Sequence, residues 1–143
     1  MNEPAQANYK LAKVLFAAFV LTVLASRVVV YLIMIHQLPT MYLYVRGNHI
    51  HHLNYGIFLL AAVGGYSLFG SPVGQGRQLT AALYGIGLGL TFDEFGMWLH
   101  LGGSYWQPAS WDAVGVLATL LALIAFAPPM LRSQARQPRA GRS

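Results

Sequence analysis

From residue 14 to residue 35 the chain carries a single charge, Arg27, and that run constrains the fold more than any other feature. A helix crossing the ~30 Å hydrocarbon core of a bilayer needs about 20 mostly apolar residues. Residues 79–101 and 113–131 are also long and apolar enough. A shorter run over 53–69 reaches that length if its helix begins near His49. Charged residues are 9% of the chain, against roughly 25% in an average soluble domain. So few charges cannot cover a water-facing surface, and lipid is the solvent that fits. The expected fold is an all-α integral membrane protein, a four-transmembrane-helix bundle with spans at 14–35, 49–69, 79–101 and 113–131. Residues 1–131 then form one domain, and 132–143 a basic tail.

The basic residues set the expected orientation. Lys10, Lys13, Arg77 and the tail residues Arg132, Arg136, Arg139 and Arg142 fall on one side of that topology, and only Arg46 on the other. The positive-inside rule makes the richer side cytoplasmic. Both termini are then inside, as for a multi-pass protein of the bacterial inner membrane. The net charge of +5 reads as this signal, in contact with anionic lipid, and not as affinity for nucleic acid. Tyr42, Tyr44, Tyr105, Trp106 and Trp111 fall at the outer interface as an aromatic belt. The chain has no cysteine, which excludes disulfides and thiolate metal sites.

Ionisable residues inside a bilayer are costly unless paired or hydrated, so each is a functional candidate. The expected topology gathers them on the outer side. His36 ends the first span, His49, His51 and His52 open the second, and Asp93, Glu94 and His100 lie in the outer half of the third. At about 1.5 Å rise per residue, Arg27, Asp93 and Glu94 stand roughly 4–6 Å outward of mid-membrane, and His36, His52 and His100 roughly 10–17 Å. An ion-pair layer therefore lies below a histidine layer. On a continuous helix Glu94 points about 100° away from Asp93. One carboxylate then pairs with Arg27 while the other reaches a histidine. Gly85, Gly89 and Gly96 share nearly the face of Asp93 and His100, which marks that face as packed against protein.

Imidazole with carboxylate suits a divalent metal such as zinc, iron or copper. The expected ligands are His49, His51, His52 and His100, with Glu94 or Asp93 as ligand or general base and Arg27 as counter-charge. Arg46 and Asn48 stand where they can contact a phosphate, which makes a lipid-like substrate conceivable for a metal-dependent enzyme. Haem ligation by His36 and His100 has compatible depths but no further support. The other readings are a non-enzymatic assembly subunit of a membrane complex, whose polar layer fixes helix packing, and a proton or metal carrier working as a homo-oligomer. Asp112 reads as the N-cap of the fourth helix.

The strings 46–57 (RGNHIHHLNYGI), 84–95 (YGIGLGLTFDEF) and 98–101 (WLHL), with Tyr105-Trp106 and 111–114 (WDAV), resemble a family of small bacterial integral membrane proteins. That family carries an HIHHxxxG box and a DEFxxWLH box followed by Tyr-Trp. Where many relatives have an acidic residue before the Tyr-Trp pair, this chain reads Gly102-Gly103-Ser104. The resemblance implies that the two boxes act as one unit, and it names no reaction.

Overall fold

The computed structural model describes residues 3–39, 43–45, 48–100 and 104–126. They form five helices and one minimal hairpin: α1 (Glu3–Met34), β1 (Leu43–Val45), β2 (Asn48–Ile50), α2 (His52–Phe69), α3 (Gln75–Asp93), α4 (Phe95–Leu99) and α5 (Pro108–Phe126). Among the described residues, α2, α5 and residues 6–34 of α1 are long and apolar enough to cross a membrane. Large apolar side chains stand exposed along them, Phe58 at 75% and Phe69 at 89% among others. A water-facing surface rarely tolerates patches of that kind, whereas lipid tails accept them.

α3 is the least apolar of the long helices and the most enclosed. It packs against α1, α2 and α5. Glycine makes this possible on two faces. A Cβ at Gly89 would stand 2.7 Å from Thr22 Cβ on α1, and one at Gly87 would stand 2.9 Å from Leu60 Cγ on α2. Bare backbone there lets both neighbours approach closely, as small residues do between membrane helices. Phe19, Val23 and Leu88 form the central core, flanked by Leu60 and Phe92. Hydroxyls within the helices bond the carbonyl four residues back, as Thr22 does to Ala18 and Thr91 to Gly87, each at 2.8 Å. That pattern satisfies them without water.

Three local features differ from the sequence reading, and a fourth adds detail to it. The third helical stretch is not continuous. It stops at Asp93 and restarts at Phe95, with Glu94 at φ −103°, ψ 12° between. The second helix opens at His52 and not near His49, which lies in β2 opposite Tyr44. α5 starts with Pro108, a residue suited to the first helical position because its missing N–H has no intrahelical partner there. Asp112 therefore sits beyond the first turn and is not the cap. His36 closes α1 at φ 58°. Its N–H bonds Ile33 O at 3.0 Å, and that of Gln37 bonds Leu32 O at 2.9 Å. This left-handed helix ending is usually given to glycine, and it leaves His36 exposed as a terminator.

Candidate functional site

The break between α3 and α4 builds the site. Interrupting a helix strands backbone donors and acceptors, and each must find a new partner. The carbonyl of Asp93 accepts from Arg27 Nη2 at 2.6 Å. The N–H of Gly96 donates to Ser110 Oγ at 2.8 Å. Ser110 is almost fully buried. Arg27 and Ser110 thus hold the two sides of the break against α1 and α5.

Arg27 is buried and fully engaged. Its Nε donates to Asp93 Oδ1 at 2.5 Å, and its Nη1 donates to the carbonyl of Tyr105. Trp111 and Trp106 cover the guanidinium, with ring centres 4.6 and 5.5 Å from its central carbon. The cation sits at the C-terminal end of α3, where the helix dipole favours positive charge. Opposite charge, carbonyls and aromatic faces together compensate the loss of water.

Both carboxylates are fully buried, and the break turns them to the same place. Asp93 Oδ2 lies 3.1 Å from His52 Nε2. Glu94 Oε1 lies 3.1 Å from His51 Nδ1 and 3.4 Å from His52 Nδ1. Glu94 Oε2 accepts the backbone N–H of Leu53 at 2.9 Å, one of the unpaired donors in the first turn of α2. A carboxylate from α3–α4 therefore caps α2 across the helix interface. The expected 100° divergence of Asp93 and Glu94 fails because the helix between them is not continuous. A ring stack of His52 on Tyr105, with centres 6.3 Å apart, completes the wall.

His52 faces a carboxylate oxygen through each ring nitrogen. Neutral imidazole has one N–H, so its second nitrogen presents a lone pair to an anion. A cation held between that lone pair and the carboxylate would make the contact favourable. The His51 side chain is 39% exposed and that of His52 21%, so the cluster opens outward through the histidines.

Of the sequence candidates, Arg27, His51, His52, Asp93 and Glu94 come together. His100 does not join them. Its Nδ1 lies 2.9 Å from Gly96 O one turn back, because the break removes it from the helix face of Asp93. His36 is likewise apart. Arg46 lies outside the described residues, as do the side chains of His49 and Asn48. The sequence reading missed Ser110, and no local signal marks it. It also read Trp106, Trp111 and Tyr105 as interface anchors. Their nearness to the DEF box was the available hint. Among the described residues, no three His, Asp or Glu side chains already form a ready-made metal site. The imidazoles and carboxylates stand at hydrogen-bonding separations instead. No family model, curated protein or solved structure matches the chain.

Proposed function

We propose that this chain is a multi-pass membrane protein that binds a divalent metal ion between His51, His52 and Glu94. The observation that carries the reading is the convergence of His51 Nδ1 and His52 Nδ1 on Glu94 Oε1, at 3.1 and 3.4 Å. Ligands about 2.1 Å from one ion stand about 3.0–3.4 Å from each other. A metal taken up here would engage the His52 nitrogen that faces Glu94. The outer partners fit the same reading. Ligating histidines usually donate their other N–H to a carboxylate, and ligating carboxylates accept further hydrogen bonds. Asp93 plays the first role for His52, with Arg27 holding it in place, and the Leu53 N–H plays the second for Glu94.

Two imidazoles and one carboxylate suit zinc or ferrous iron, with one or more positions open. In this reading the open side lies toward exposed His51, where the ion can polarise a bound water or an oxygen of a lipid-like substrate. His100 and Asp93 are not ligands in this revised set. We further propose that α3 also crosses the membrane, enclosed by the three apolar helices. The His cluster then lies on the non-cytoplasmic side, as the basic residues suggest. A second reading, a packing role in an assembly subunit, draws on the complete pairing of Arg27 and Asp93.

Metal analysis of protein purified without a histidine tag tests the proposal. One ion per chain is expected, or uptake of one on adding zinc, iron or copper. No bound metal under either condition refutes it. Glu94→Gln and His51→Ala should each abolish stoichiometric metal, while His100→Ala should retain it. A Glu94→Gln chain that stays inserted but loses metal separates chemistry from packing.

A further inference from the structure

The far end of the bundle holds a second candidate site with different chemistry. Lys10 precedes Arg27 on α1 by about 25 Å along the helix axis, more than half of a membrane's ~30 Å hydrocarbon thickness. There, α1 and α2 lie on different faces of α3 and leave a groove of about 580 Å³, walled by Leu11, Leu15, Val63, Thr80 and Tyr84 with Arg77 at its mouth. A smaller cavity of about 420 Å³ shares Leu11 and Arg77 with it and adds Lys10, Gly74 and Gln75.

The groove walls favour hydrocarbon. Two of the hydroxyls lining it are turned to their own helices, Ser67 to Val63 O at 2.8 Å and Thr80 to Gly76 O at 2.7 Å. The adjoining cavity is also walled by apolar atoms, and the basic residues that border it, Lys10 and Arg77, are what favour an anion at this end. Lys10 and Arg77 are both exposed. Arg77 makes a hydrogen bond to Asn8 Oδ1 at 3.1 Å, which leaves most of its five donors for a ligand. The first turn of α3 has no side-chain cap and no acidic residue. Apart from Glu3, the acidic residues Asp93, Glu94 and Asp112 all lie at the other end of the bundle. An apolar slot that ends in two cations at headgroup depth matches one amphiphile in shape and charge.

We propose that this end binds an anionic phospholipid, with an acyl chain in the groove and its phosphate between Lys10 and Arg77. The lipid fills the space between α1 and α2, and the site is independent of the His/carboxylate cluster. Basic side chains near a membrane surface each favour anionic lipid by an amount that makes a pair worth roughly tenfold or more in affinity.

The test uses the full chain in a neutral detergent, with retained lipid counted by native mass spectrometry. Phosphatidylglycerol and phosphatidylcholine of identical chains are the probes. Retention of phosphatidylglycerol roughly tenfold above phosphatidylcholine is expected. A Lys10→Gln/Arg77→Gln double variant should erase that preference and still bind both lipids weakly. Ala81→Phe should fill the groove and weaken both. Val73→Asp, at an exposed position on the groove rim, should lower phosphatidylglycerol retention alone and serves if Ala81→Phe fails to insert. Equal retention of the two lipids by the unaltered chain overturns the proposal. So does a preference that survives the double variant, or displacement of phosphatidylglycerol by millimolar inorganic phosphate.

Discussion

At the residue scale, Arg27 and Asp93 show why a buried charge is tolerated in this protein. The Asp93 carboxylate is shared between Arg27 Nε and His52 Nε2, and its carbonyl takes a second donor from the same guanidinium. Removing one member leaves the other buried and uncompensated. Asp93→Asn should therefore lower stability by about 3–5 kcal/mol, read as a drop in thermal unfolding temperature in detergent. Arg27→Lys should not restore the native state, because an ammonium cannot span the carboxylate and two carbonyls in one plane. An Arg27→Lys chain with unchanged unfolding temperature would remove Arg27 from the role assigned to it. The proposed ligands carry a further expectation. Both imidazoles must be deprotonated to bind a metal, so affinity should fall as pH is lowered. Metal titrations across the acidic range check this, and a flat profile would argue against histidine ligation.

At the element scale, the α3–α4 break and the glycine contacts decide where the site forms. α2 reaches the carboxylates because Gly56 lies against α3. A Cβ there would stand 2.8 Å from the backbone of Gly87 and Thr91, which a flexible neighbour cannot relieve. Gly56→Ala should push α2 away, cost about 1–3 kcal/mol and weaken metal uptake by separating His51 and His52 from Glu94. Gly64→Ala, on the same helix with nothing near its Cβ, should leave both properties close to native. Thermal unfolding and metal content of the pair give the comparison, and equal behaviour would deny the close approach its role. At the break itself, Ser110→Ala would leave the buried Gly96 N–H without its partner, a loss of about 1–3 kcal/mol measurable in the same assay.

At the scale of the whole molecule, exposed apolar flanks around an enclosed, less apolar α3 describe a protein whose outer surface suits lipid. Integral insertion predicts that the chain stays with the membrane after an alkaline carbonate wash. Release into the supernatant would contradict it. Much of this organisation was legible in residue order. Low charge and long apolar runs over α1, α2 and α5 specify membrane-compatible helices, because in hydrocarbon every backbone polar group must bond within its own segment. The pairing of Arg27 with a carboxylate was legible too, since charges at matched depth in different helices have few other ways to be stabilised.

Other features were not in the residue order. Periodicity treats 79–101 as one helix, and on such a helix His100 shares the face of Asp93 while Glu94 turns aside. The break at Glu94 reverses both, and it holds only because Ser110 and Arg27, distant in sequence, take up the freed Gly96 donor and Asp93 acceptor. The end of the first span at His36 was legible, but not the left-handed residue with which the helix terminates there. Composition and spacing by themselves determined a membrane solvent, the helical elements and the set of expensive side chains. Only the tertiary structure decided which of those side chains meet, because partners for a broken helix come from other helices, and local pattern carries no information about them.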